Sequence, residues 1–153
     1  MGPFQNKLRC EDNEAMETPI SMCELEEAIK MGKPNKAPGC DGISTEFFKI
    51  MWDTIKSDLL CIMNEMFIDW KITETQKKGL MICVPKRTNP SAMPDYRPIT
   101  LINADYKLLT RIIAHRLQQW LTKTLHPSQY CGMRGRAMLD ALTTVRDAIA
   151  NAQ

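Results

Sequence analysis

The chain has 153 residues, 44% apolar and 25% charged, with a net charge of +2. That is one soluble globular domain's worth of sequence, able to bury about two-thirds of its unfolded surface. No apolar run reaches the roughly 18 residues of a membrane span, and the N-terminus lacks the basic-then-apolar order of a secretory signal, so neither membrane nor secretion is expected.

The six cysteines (Cys10, Cys23, Cys40, Cys61, Cys83 and Cys131) show neither CxxC nor Cys/His ligand spacing. They read as reduced, mostly buried thiols of an intracellular protein, nuclear or cytoplasmic, without a zinc site. The eleven Met read as fillers of irregular core gaps. The small net charge hides a division: residues 1–69 hold 7 Lys/Arg and 13 Asp/Glu, and residues 70–153 hold 13 and 5. A basic half of +8 beside an acidic half of −6 suits a molecule with one side on phosphate, and equally a dipolar surface with no ligand.

Residues 1–20 are polar and weakly periodic, and read as a lead-in or linker. The stretch "SMCE" then sets Ser21 at an N-cap with Glu24 three residues on, a capping box. Leu25, Ala28 and Ile29 give that helix one apolar face, and Gly32 stops it. The Pro/Gly-rich "GKPNKAPGCDGIS" (32–44) predicts an ordered loop, functional or merely connecting. Ser44 is placed to cap a helix that buries Phe47, Phe48, Met51, Trp52 and Ile55, and Ser57 with Asp58 to re-cap a second one running to Trp70.

"GLMICVPK" (79–86) has the composition of a buried strand, and "YRPITLI" (96–102) that of its hairpin partner, with Pro98 restricting it to an edge. Asn103 is placed to cap a long helix whose Leu108, Leu109, Ile112, Ile113, Leu117, Trp120, Leu121 and Leu125 form the core stripe. Lys107, Arg111, His115 and Arg116 lie off it. "HPSQYCGMRGR" (126–136) breaks the pattern before a last amphipathic helix from Ala137.

Conventional catalytic sets are absent from this pattern. His115 and His126 stand apart from any nucleophile, and there is no phosphate-cradling GxxxxGKT. Asp140 and Asp147 share a helix face but lie roughly 10 Å apart along it, too far for paired metals. Asp41, Asp95 and Asp105 are scattered over a loop, a hairpin tip and a helix start. No catalytic residue and no metal ligand is assigned. Lys86 and Arg97 are different: a hairpin brings both to the base of one loop, where a compact charge and a forked donor suit a polyphosphate. They could equally be solvated charges that protect a sheet edge.

The segments "KAPGCDGIS" with "EFFK", "VPK" followed by "YRPITLIN" and "DYKLLTRIIAHRL", and "LHPSQ" with "RGR" resemble, in order and spacing, the N-terminal third of non-LTR (LINE-type) retrotransposon reverse transcriptases. The resemblance runs from about residue 25 to residue 153. It implies an α+β, mostly helical fold: the fingers of a right-hand polymerase, with one long β-hairpin packed on helices. Residues 21–153 would form a partial reverse transcriptase domain, fingers and start of palm, after the 1–20 lead-in.

By the same resemblance, Lys86 and Arg97 match the pair that holds the dNTP triphosphate. Lys36, Gly39 and Gly42 match a loop beside the template, the glycines letting backbone N–H groups approach phosphate. Arg134 and Arg136 match a template-side surface, and Lys107 and Arg111 extend the nucleic-acid-binding set. Cys40 departs from the proline frequent in such loops, and Tyr130-Cys131 from a glycine–phenylalanine pair. Implied partners are an RNA template, a DNA primer, dNTP and the palm and thumb of a full-length polymerase. The family's catalytic aspartates and their Mg²⁺ are expected beyond Gln153, so the expectation is a fragment that binds no cofactor itself. A domesticated RNA-binding module and an inert retroelement remnant are the competing readings.

Overall fold

The computed structural model describes residues 10–126, 129–130, 132 and 135–151. The elements in order are α1 (Cys10–Glu17), α2 (Met22–Lys30), α3 (Thr45–Ile50), α4 (Trp52–Ile68), β1 (Leu80–Pro85), β2 (Tyr96–Leu101), α5 (Ala104–Thr124) and α6 (Met138–Ala150). Helices dominate and one antiparallel hairpin supplies the sheet, an α+β composition as expected. The chain divides into two compact units, Pro19–Ile112 and a second made of Met1–Thr18 with Ile113–Gln153.

In the first unit, α2 begins as its capping box requires. Ser21 Oγ accepts from the Glu24 N–H at 3.3 Å, and Glu24 Oε2 accepts from the Ser21 N–H at 2.9 Å. Two cations close the other end. Lys49 Nζ donates to the Gly32 carbonyl at 2.8 Å, and Arg111 donates to the Ala28 carbonyl at 2.6 Å. Positive charge there complements the C-terminal end of the helix dipole. The apolar face turns inward, with Leu25, Ala28 and Ile29 buried beside Phe48, Leu59, Met63, Met66, Leu108, Leu109 and Ile112. Asn64 pins the segment before α2 by accepting from Ile20 N at 2.6 Å and donating to Ile20 O at 3.1 Å.

The break between the next two helices falls at Met51, which ends α3 and begins α4. The expected re-capping at Ser57 and Asp58 does not occur; both lie within the continuous α4. Their exposed side chains leave the backbone helical, because burial of Leu59 and Met63 on the opposite face continues through them. Phe48 is buried as expected, but Phe47 and Met51 are exposed.

The hairpin pairs Leu80 with Leu101 through Pro85 with Tyr96. Its expected burial against helices is not found: all six β1 residues are exposed, and only the ends of β2 are partly covered. A two-stranded ribbon has no third strand or second layer of its own, so an apolar run is buried only where another element covers it. The thiols depart from expectation for a related reason: Cys23, Cys40, Cys61 and Cys83 are free and exposed, on outer helix faces, in the loop and on the hairpin. Met63 and Met66 fill core space, whereas Met31, Met51, Met81, Met93 and Met138 are exposed.

In the second unit, the polar lead-in contains a helix, α1. Arg116, buried at 9% exposure, donates to the Met16 carbonyl at 3.0 Å and the Thr18 carbonyl at 2.6 Å. An arginine that reads from the sequence as lying off the core stripe thus holds one carbonyl in the last turn of α1 and one just after it. Leu117 and Leu121, expected in the stripe, are exposed. The loop before α6 uses Gly132 and Gly135 at φ of 76° and 77°, where other residues are strained.

Candidate nucleotide and nucleic-acid interface

The 32–44 loop turns at Asn35, which adopts a left-handed φ of 57°. Its N–H donates to Glu46 Oε1 at 2.5 Å, tying the loop to α3. That bond, with the Glu46 backbone N–H and the Ser44 hydroxyl, holds the Glu46 carboxyl below the usual carboxylate range. Lys33 and Lys36, either side of the turn, extend as exposed side chains. On α5, Lys107 and Arg111 are four residues apart and so share a face.

These four cations line one cleft of about 440 Å³, together with the apolar Met31, Ile43 and Leu101. No carboxylate is among its lining residues. Lys36, Lys107 and Arg111 belong to the expected nucleic-acid-binding set; Lys33, beside Lys36 in the same Pro/Gly loop, joins them on the cleft wall. Arg111 also carries a structural task, since one of its donors holds Ala28 O.

The glycines act differently from expectation. Gly39 is buried, and a Cβ there would fall 2.2 Å from Asn103 Oδ1, so its smallness admits the start of α5 instead of a phosphate. Gly42 adopts φ of 73° in open space, but its N–H donates to the Gly39 carbonyl at 3.2 Å. The neighbouring Ile43 N–H is taken by Asp41 Oδ1 at 3.0 Å. Both amides thus already have partners within the loop.

At the hairpin, Arg97 lies opposite Val84, and the Lys86 N–H continues the ladder to the Asp95 carbonyl at 2.7 Å. Lys86 and Arg97 are therefore diagonal neighbours on one face of the ribbon, about 7–8 Å apart by ordinary sheet geometry. Lys86 Nζ donates to the Pro94 carbonyl at 2.6 Å. Arg97 is exposed, and its side chain makes no hydrogen bond or ion pair among the described residues. The tip is held by a pair that sequence reading did not mark: Asp95 accepts from Arg87 and from the N–H groups of Ser91 (2.9 Å) and Ala92 (3.1 Å). First Arg87 and then Ser91 lower the Asp95 carboxyl below its ordinary range.

Arg136 donates to the His126 carbonyl at 2.9 Å and the Gln129 carbonyl at 2.7 Å, so it closes its own loop. Arg134 lies outside the described residues. Among the described residues no three His, Cys, Asp or Glu side chains come together as a metal site needs. Asp105, next in sequence to the cleft residue Ala104, accepts from Gln76 Nε2 and from the Tyr106 N–H. Among the described residues no helix is long and apolar enough to cross a membrane.

No family model matches the chain. It is similar to the transposon TX1 uncharacterized 149 kDa protein of Xenopus laevis, 32% identical over 136 residues, covering 89% of this chain and 10% of that protein. It is similar also to the retrovirus-related Pol polyprotein from type-1 retrotransposable element R1 of Bradysia coprophila, 26% identical over 83% of this chain and 13% of that one. A third relative is the probable RNA-directed DNA polymerase from transposon BS of Drosophila melanogaster, 30% identical over 76% of this chain and 13% of that protein. The chain thus spans only about a tenth to an eighth of the length of these relatives. With most of its residues aligned to such proteins, the chain belongs, as one segment, to the reverse transcriptases of non-LTR retrotransposons.

Proposed function

We propose that this segment is the fingers part of an RNA-directed DNA polymerase, holding the template strand and the triphosphate of an incoming dNTP while the metal-binding carboxylates lie outside it. The observation that carries this reading is the convergence of Lys33, Lys36, Lys107 and Arg111 on one cleft free of carboxylates. Two of the four come from a loop latched to α3, and two from consecutive turns of α5, so the backbone that carries the charges is set before a ligand arrives. Lys86 and Arg97 supply a second cationic pair on the hairpin, of the kind that grips a polyphosphate. In this reading the segment binds and orients RNA, primer and nucleotide, and the polymerase chemistry draws on Mg²⁺ held elsewhere.

The test is binding of a fluorescent single-stranded RNA to the purified chain, followed by anisotropy. Three lysine–phosphate contacts at roughly 0.7 ions each predict a log–log salt slope of about −2, a loss near twentyfold between roughly 50 and 200 mM salt. Lys36→Ala or Lys107→Ala should weaken binding and flatten the slope. RNA that fails to bind at low salt, or binds with no salt dependence, would refute the reading.

A further inference from the structure

The cleft is larger and more apolar than a phosphate site requires. A phosphate needs only the cations, yet Met31 and Ile43 face the same space and stay 44% and 37% exposed, with Leu101 completing an apolar wall. Apolar side chains held at the surface beside a charge cluster mark a place where something amphipathic docks. A volume of about 440 Å³ is that of a small-ligand pocket. A ligand that joins one anionic group to one flat, weakly polar body matches both walls.

We infer that the cleft takes one unstacked nucleotide of an RNA strand, its phosphate on Lys33, Lys36 and Lys107 and its base against Met31, Ile43 and Leu101. This rests on the nucleic-acid reading above and adds to it: the strand is held by a base as well as by its backbone. Proteins recognise single-stranded RNA by splaying bases onto apolar, aromatic or guanidinium surfaces. Arg111 suits the last of these. Its bond to Ala28 O fixes the guanidinium at the cleft wall, leaving its plane to lie along a base. No aromatic ring is among the lining residues, and no side-chain amide that could read a base edge. The base is therefore held mainly by its face against the apolar wall.

Titration of the full chain with adenosine 5′-monophosphate, ribose 5-phosphate and inorganic phosphate, followed by methyl NMR, separates the two walls. The monophosphate should bind roughly fivefold tighter than either base-free probe, on the scale set by covering the Met31 and Ile43 surface, and should shift both their methyl signals. Ile43→Ser, or Met31→Gln if the first variant does not fold, should abolish that advantage while leaving phosphate binding intact. Lys36→Ala should weaken all three probes. Equal affinity for all three, with RNA still bound in a salt-dependent way, would overturn the base pocket and leave the wider reading standing. Absence of both RNA and phosphate binding would overturn both.

Discussion

Gly39 rests on Asn103 so closely that a Cβ would fall 2.2 Å from the Asn103 side-chain oxygen and 2.5 Å from its backbone nitrogen. Asn103 is itself buried, 2% exposed, with its oxygen accepting from the Cys40 thiol at 3.4 Å and its amide donating to the Thr75 carbonyl at 3.4 Å. This contact latches the loop that carries Lys36 to the helix that carries Lys107 and Arg111. The cleft depends on that latch, because its two pairs of cations come from these two elements.

Gly39→Ala should accordingly destabilise the chain by about 1–3 kcal/mol, the usual cost of forcing atoms into a packed site. Gly42→Ala should cost about 1 kcal/mol for a different reason, the positive φ of a residue with open space around it. A thermal melt measures both. In RNA binding well below the melting temperature, Gly39→Ala should lose affinity because its cations separate, and Gly42→Ala should not. If Gly39→Ala melts with the parent chain, the latch is not structural.

The hairpin tip should depend on pH through Asp95. Its folded carboxyl lies below the ordinary range, mainly because of Arg87 and the Ser91 N–H. A group depressed in the folded state adds stability above its unfolded pKa and loses it as pH falls through the lower folded value. Order at the tip should therefore be full at neutral pH and fall away below about pH 4. Amide signals of Ser91 and Ala92 report this directly. Asp95→Asn should remove the acid transition and leave the tip looser at neutral pH, whereas an unchanged transition in that variant would assign it to another group.

What was legible in the sequence was local. The Ser21–Glu24 box and the Gly32 stop need only neighbours three residues apart, and both formed. The hairpin's existence followed from two apolar runs around a Pro-rich loop, but its exposure did not, because an apolar run is the same whether or not another layer covers it. The break at Met51 instead of Ser57 was missed since capping residues only permit a helix start, and packing of Leu59 and Met63 decided against it. In the site, the cations were visible as residue types, whereas the part played by Gly39 depends on Asn103, far along the chain. The Arg87–Asp95 pair, likewise, exists only because the hairpin folds one tip residue back on another eight positions away.

The remaining prediction concerns the two cations at the hairpin base. Cross-strand register makes Lys86 and Arg97 diagonal neighbours, and the two differ in what already holds them. Lys86 gives one N–H to Pro94 and keeps two, while the exposed Arg97 has its whole donor fork to offer. If they grip the triphosphate, then in a polymerase polypeptide containing this segment Arg97→Ala should raise the KM for dNTP and lower kcat. The loss of a charge-assisted contact should cost about 2–3 kcal/mol in kcat/KM, roughly 30- to 150-fold. Lys86→Ala should act in the same direction but more mildly, since a single point charge is removed instead of a bidentate fork. Lys30→Ala is the control: Lys30 pairs with Glu26 at 2.6 Å on an exposed face of α2 and should leave both constants unchanged. Edge protection predicts another pattern, in which Arg97→Ala lowers solubility or melting temperature while the nucleotide KM stays fixed. Steady-state kinetics beside a melt tells the two apart, and an unaltered KM and kcat for Arg97→Ala would end the triphosphate assignment.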